Sequence, residues 1–206
     1  MKHPCTGVIL AGGLGTRYGG ENKALLKVGG VRILDRLFDV FSQLFDEIIL
    51  VTNRPRDFLE WDALIATDIF PVRSSLTGIH AGLFYASRPF AFFSACDTPF
   101  LKREIIETVL SAIEPGADLV LPRTSSGVEP LCAAYSRRCL KPAEDHLRAN
   151  KFKIHLALKN CRILTIAEDR LRAKDPGLVS FFNVNTPQDM ARAEQMLRTG
   201  EATEAV

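Results

Sequence analysis

The chain has no run approaching eighteen apolar residues, which removes a membrane-spanning helix from consideration. It has no Cys-x-x-Cys pair: Cys5, Cys96, Cys132, Cys139 and Cys161 are scattered. An odd number without zinc-type spacing reads as reduced thiols, not as a metal cage or a disulfide framework. There is no basic excess, since 26 Lys+Arg face 24 Asp+Glu for a formal charge of +2. Nucleic-acid and membrane-surface partners, which select for strong positive imbalance, are therefore not expected. The opening residues Met1 to Thr6 show no apolar core of a secretory signal, and internal repeats and low-complexity tracts are also missing. His80, His146 and His155 do not cluster and form no His-Glu-x-x-His, so they carry no zinc motif. These absences predict a cytoplasmic protein.

What remains is an ordinary globular composition, 47% hydrophobic and 24% charged over 206 residues. Such a length buries about 70% of its unfolded surface without staples. One domain over residues 1–198 is expected, with 199–206 as a disordered tail.

The apolar pattern alternates between two periods. Val8 to Ala11, Ile48 to Val51, Leu64 to Ala66, Phe90 to Cys96 and Asp118 to Leu121 read as strands, the fourth apolar enough to be covered on both faces. Ile33, Leu34, Leu37, Val40, Phe41 and Leu44 make one helical stripe, as do Ile105, Ile106, Val109, Leu110 and Ile113. Further on, Leu131 to Tyr135, Arg162 to Ile166 and Phe181 to Val184 read as strands, and Gln188 to Arg198 as a closing helix. Trp61 is placed on an amphipathic helix face. The alternation predicts an α/β fold, a doubly wound, mostly parallel (Rossmann-like) sheet with helices on both faces. Its site should lie beyond the carboxyl ends of the strands.

The first strand runs into Leu10-Ala11-Gly12-Gly13-Leu14-Gly15-Thr16-Arg17-Tyr18-Gly19-Gly20-Glu21-Asn22-Lys23. Glycines there let backbone N–H groups approach an anion, and Arg17 and Lys23 supply positive charge for phosphate oxygens. A Walker A loop fails, because Glu21 follows Gly20 where Lys is required. A dinucleotide fingerprint fails at Tyr18, which leaves an NAD-dependent oxidoreductase a distant alternative. Asp97 follows the most apolar strand on the same sheet edge. It could hold Mg²⁺ against phosphate oxygens or, with Thr98, cap a helix that Pro99 helps open.

The glycine stretch resembles the Leu-Ala-Gly-Gly-x-Gly-x-Arg-(x)-Gly-Gly-x-x-Lys signature of the nucleoside-triphosphate transferases. Cys96-Asp97-Thr98-Pro99-Phe100 and Asn183-Val184-Asn185-Thr186-Pro187 extend the resemblance to the molybdenum cofactor guanylyltransferases, over about Thr6 to Leu197. That resemblance implies a nucleotide-diphospho-sugar transferase-like fold and transfer of GMP from GTP to the phosphate of molybdenum-bound molybdopterin, with release of pyrophosphate. It implies nucleotide contacts at Leu10, Ala11, Gly12, Gly13, Gly15, Lys23, Asn53, Asp68 and Asp97. Catalytic roles fall to Arg17, Lys23 and Asp97, and Mg²⁺ to Asp97 and Asn185. Asn185 competes with a reading as a cap of the last helix, and Asn183 should face away from it in an extended chain. The expected partners are GTP, molybdopterin and, transiently, other proteins of cofactor biosynthesis.

The chain also departs from the family pattern. Ser74-Ser75 stand where a Gly-Pro pair is frequent, leaving Gly78 to turn the chain ahead of the next helix. Glu129 stands where some members have His, in a segment that lies near the pterin. Lys151 and Lys153 could meet a pterin phosphate or simply face solvent. The open alternatives are a cytidylyltransferase or sugar-phosphate nucleotidyltransferase on the same scaffold, and a nucleotide-binding protein without turnover.

Overall fold

The computed structural model describes residues 3–12 and 22–202. Gly13, Gly15 and Arg17 of the glycine loop, and residues 203–206, lie outside the described residues. In chain order the elements are β1 (His3–Leu10), β2 (Lys27–Val28), β3 (Val31–Arg32), α1 (Ile33–Leu44), β4 (Phe45–Val51), β5 (Leu64–Ala66), α2 (Ser75–Tyr85), β6 (Phe90–Ala95) and α3 (Arg103–Ser111). There follow β7 (Leu119–Thr124), β8 (Gly127–Val128), β9 (Cys132–Ser136), α4 (Leu140–Arg148), α5 (Ile154–Ala157), β10 (Ile163–Ile166), α6 (Glu168–Arg172) and α7 (Pro187–Thr199). The main sheet runs β10-β7-β9-β6-β1-β4-β5, with β8 hanging from β7 and β2–β3 forming a separate hairpin. Along that path β9 is antiparallel to both of its neighbours and every other pairing is parallel. The mostly parallel, helix-covered sheet expected from the alternation is the one observed.

Strand pleating explains why the central strands are continuously apolar. Successive side chains point to opposite faces, and here both faces are covered. Ile9, Leu50, Phe92 and Val120 enter one buried layer with α1 and α3, while Val8, Ile49, Phe93 and Leu119 enter the other with α2 and α4. The six stripe residues of α1 are all buried. On the other face α2 lies close to the sheet, because a Cβ on Gly82 would come within 2.6 Å of Phe93 and 2.8 Å of Val8. Gly82→Ala is therefore expected to cost about 1–3 kcal/mol through overpacking, read as a lower denaturant midpoint with an unchanged slope.

Several local expectations are corrected. Phe181 to Val184 is not a strand: a 3-10 turn covers Val179–Phe181, and the residues after it pair with no strand. Asp97 and Thr98 cap nothing, since α3 starts at Arg103 behind Lys102, and the Thr98 hydroxyl donates back to the Ala95 carbonyl at 2.8 Å. Pro99 thus precedes a further stretch of loop. Gly78 lies inside α2 rather than ahead of it, and Ser74 supplies the cap by accepting the Thr77 N–H at 3.1 Å. Trp61 is on no helix. It is buried beside Phe58, with the Arg32 guanidinium 4.6 Å above its ring. At the far end Gly200 closes α7 in the left-handed conformation, and Ala202 is buried against the core.

At the opposite sheet edge Asp118 ties β7 to the start of β10. One carboxylate oxygen accepts the Arg162 N–H at 2.9 Å and the other the Arg138 guanidinium. These contacts, led by the Arg162 N–H, hold its carboxyl below the usual range. A depressed folded-state pKa contributes stability above the unfolded value and loses it as pH falls through the folded one. Asp118→Asn should therefore cost about 1 kcal/mol at pH 7, and the gap to wild type should close below about pH 4 in melts taken across that range.

Candidate active site

The strand ends are brought level by ladders that run on past the strands. Cys96 N–H donates to the Leu10 carbonyl (3.1 Å), Ala11 N–H to Val51 (2.8 Å) and Thr52 N–H to Ala66 (2.8 Å). The residues that follow β6, β1, β4 and β5 therefore line one edge. With neighbouring strands about 4.8 Å apart, that edge spans about 14 Å from Asp97 to Asp68.

Asp97 sits just beyond β6, with its side chain 20% exposed. Its Oδ1 is buried without a hydrogen-bond partner, and its Oδ2 lies 3.9 Å from Lys23 Nζ. Burial pushes the Asp97 carboxyl up, only partly opposed by the Lys23 ammonium. Lys23 opens a 3-10 turn capped by Asn22 and donates to Asn185 Oδ1 at 2.6 Å. Asn185 does not cap α7. Thr186 does, in a reciprocal box with Asp189, whose carboxylate also accepts the Asn185 N–H at 2.9 Å. With its backbone so held, the Asn185 side chain is left to face Lys23. Asn183 turns away and donates to the Phe181 carbonyl. Three segments remote in sequence thus converge on one ammonium.

At the other end of the edge, Asn53 and Asp68 pair directly. The Asn53 amide donates to Asp68 Oδ2 at 2.6 Å and accepts the Asp68 N–H at 3.3 Å. Partial burial raises the Asp68 carboxyl, against the opposing pull of Asn53 and Arg73. A cavity of about 320 Å³ connects the two ends, lined among others by Leu10, Gly12, Lys23, Asp68, Arg73, Ser74, Asp97 and Leu131. Ala11 does not line it and is buried within the core. Of the described candidates, Asn53 reaches the cavity through Asp68, and Asn185 through Lys23, rather than lining it. Ser75, noted with Ser74 as a departure from the family pattern, lines it too, and so does Arg73, which escaped the sequence reading because a lone cation before a helix cap looks like any solvated charge. Lys151 and Lys153 are exposed. Glu129 faces a second cavity, about 590 Å³, shared with Arg172, Phe181, Phe182 and Arg192. His80 is buried in α2 between Phe70 and Phe84, far from a ligand role.

Among the described residues no group of three or more His, Cys, Asp and Glu side chains could hold a metal. One buried, unpartnered carboxylate oxygen with an amide oxygen close by instead suits a hard cation that takes its remaining ligands from phosphate and water. The donor set therefore fits Mg²⁺.

A mostly parallel sheet whose first strand runs into a glycine-rich sequence, with lysine, carboxylate and amide oxygen gathered at its strand ends, defines a nucleotidyltransferase. The comparisons agree. The chain belongs to the MobA-like NTP transferase domain family, whose model matches residues 7–161. A molybdenum cofactor guanylyltransferase from Desulfosudis oleivorans is 48% identical over 195 residues, covering 95% of this chain and 96% of that one. A probable molybdenum cofactor guanylyltransferase from Natranaerobius thermophilus is 34% identical over 96% of this chain and 98% of its own length. The crystal structure of molybdopterin-guanine dinucleotide biosynthesis protein A from Archaeoglobus fulgidus superposes with a TM-score of 0.83 at 26% identity, over 94% of this chain and 99% of that one. The 2-C-methyl-D-erythritol 4-phosphate cytidylyltransferase of Thermus thermophilus shares the fold, with a TM-score of 0.72 at 16% identity over 96% of this chain and all of that one. Among the described residues no helix is long and apolar enough to cross a membrane.

Proposed function

We propose that this protein transfers GMP from GTP to the terminal phosphate of molybdenum-bound molybdopterin and releases pyrophosphate. The observation that carries the reading is the convergence of Lys23, Asp97 and Asn185 at one end of a cavity whose other end holds the Asn53–Asp68 pair. An extended nucleoside triphosphate fits that span. Its guanine N–H groups would meet the Asp68 carboxylate and its phosphates would lie by Lys23, and the family motif assigns phosphate contacts to Arg17 and to the amides of Gly12, Gly13 and Gly15 as well. The names of the two curated relatives support guanine as the base and the molybdenum cofactor as acceptor.

An acceptor phosphate oxygen forms a bond to the α-phosphorus while the bond from that phosphorus to the β-phosphate oxygen breaks. The bonding pair leaves on pyrophosphate. The attacker is already anionic, so no proton has to be removed and no general base is needed. Lys23 and Arg17 stabilise the leaving charge, and the strand-end frame aligns the reactants. Asp97 and Asn185 would hold Mg²⁺, whose charge offsets repulsion between the α-phosphate and its attacker. The second cavity, reached across Glu129 to Leu131, offers Arg192 and the Phe181 and Phe182 rings to an anionic, planar acceptor. The five free cysteines suit a reducing cytoplasm, where the acceptor would be handed over by other cofactor-biosynthesis proteins.

Thermal melts with GTP, CTP, UTP and ATP, each with and without Mg²⁺, test the reading. At a hundredfold excess over Kd, GTP with Mg²⁺ should raise the midpoint by about 5–10 °C, and pyrophosphate should appear only when the molybdopterin acceptor is added. Protection by GTP with no pyrophosphate under any acceptor would mean a nucleotide-binding protein without turnover. Preference for CTP would move the protein to a cytidylyltransferase.

A further inference from the structure

Outside the cavity lies an ion pair that the reaction above does not use. Asp175, in the segment after α6, is fully buried, and Lys102 Nζ sits 3.0 Å from its Oδ1 as an ion pair that lacks hydrogen-bond geometry. The other carboxylate oxygen accepts the Ser180 N–H at 2.8 Å, and the Ser180 hydroxyl in turn accepts the Lys102 N–H at 3.1 Å. Closer to the cavity, Val184 N–H donates to the Asp97 carbonyl at 2.8 Å. The contacts lace together two loops. One leaves β6 through Asp97 and reaches Lys102, and the other runs from Asp175 through Ser180 to Asn185.

Neither loop is fixed by a strand ladder. The segment around residues 182–185 pairs with no strand, and the Asp97 loop lies between β6 and the start of α3. Desolvating a carboxylate and an ammonium is costly, and an apolar pair of the same volume often stabilises as well or better. What the arrangement adds, through the two Ser180 hydrogen bonds beside the ion pair, is a fixed geometry.

We propose that Lys102 and Asp175, acting through Ser180, are positioning residues that clamp the Asn185 segment onto the Asp97 loop and so set the separation of the two oxygens facing Lys23. The proposal rests on the reading that these oxygens hold the divalent cation. The clamp touches no substrate. It keeps two donors from separate loops within reach of one ion, as outer partners of metal ligands do elsewhere.

The informative variant is Asp175→Asn. It leaves Lys102, whose side chain is 27% exposed, able to reach water, whereas Lys102→Met would strand a buried anion and risks unfolding the chain. Mn²⁺ binding in the presence of GTP and without acceptor, followed by electron paramagnetic resonance, is the primary readout. Asp175→Asn should weaken Mn²⁺ by roughly 10–100-fold, with the KM for GTP little changed and kcat recovering in excess Mg²⁺. Lys102→Arg, which keeps the charge, should stay near wild type. A lower melting temperature with unchanged Mn²⁺ affinity and unchanged kcat per folded molecule would overturn the proposal. Asp97→Ala run alongside separates the two ideas. Unchanged Mn²⁺ affinity in Asp97→Ala sinks the cation assignment, and loss there with none in Asp175→Asn sinks the clamp alone.

Discussion

Asp97→Ala is expected to abolish Mg²⁺-dependent turnover while leaving the protein as stable as wild type, or more so. The two halves of that result come from the same atom. Asp97 Oδ1 is buried and unpartnered, and burial raises the carboxyl against the weaker pulls of Lys23 and of a backbone N–H of its own, so the folded chain bears a desolvation cost that these contacts only partly offset. Removing the group relieves that cost. If the carboxylate is there to take a cation against phosphate, its loss should forfeit several kcal/mol of transition-state stabilisation, on the order of 10³-fold in rate. Pyrophosphate release and a melt on the same preparation check both halves. A large loss of stability with a rate near wild type would mean that Asp97 is a structural residue after all.

Lys23→Ala should produce the second largest effect, with a contrast built into it. In the free protein the ammonium lies between Asn185 Oδ1 and Asp97 Oδ2, where it occupies the space a divalent ion would need. It cannot stay there once cation and triphosphate arrive together, and the nearest new anions are the phosphates. Losing it should lower kcat/KM by about 10²–10³-fold, the usual effect of removing one preorganised donor from developing negative charge. The same substitution removes the competitor for the two oxygens. Mn²⁺ should therefore bind nucleotide-free Lys23→Ala more tightly than wild type, although GTP binds more weakly. A parallel weakening of both ligands would contradict this account of Lys23.

The sheet was readable because its signal is strong and local. Ile48 to Val51 is apolar at every position and Phe90 to Cys96 at all but Ser94, a pattern that only a doubly covered strand makes economical, and α1 carries an unbroken stripe. The last part of the chain was not readable in the same way. Phe181 to Val184 has the composition of a strand, but its backbone groups are used elsewhere. Val184 N–H is spent on the Asp97 carbonyl, and a turn closes at Phe181. No local pattern announces a tertiary hydrogen bond. Gly78 misled for a related reason. Glycine before a helix suggests a turn, yet here the missing Cβ lets α2 approach Leu10, where one would come within 3.2 Å of a methyl carbon.

Asp97 and Asn185 were visible as candidates because each follows a recognisable motif, and their convergence on Lys23 needed the fold. Arg73 and the Lys102–Asp175 pair were invisible, since single charges in loops look alike until their surroundings are known. The Asn53–Asp68 pairing lay between these cases. Both residues end strands that are neighbours in the sheet, so their contact follows from the strand order once that order is known.

All of this depends on a nucleotide lying along the strand ends, from Asp68 at one end to Asp97 at the other. A crystal structure of the protein with GTP and Mg²⁺ tests that most directly. The account predicts guanine against Asp68, phosphates within reach of Lys23, and the ion on the Asp97 carboxylate with Asn185 beside it. Nucleotide bound away from this edge, or an Asp97 carboxylate still buried and without a ligand, would contradict it.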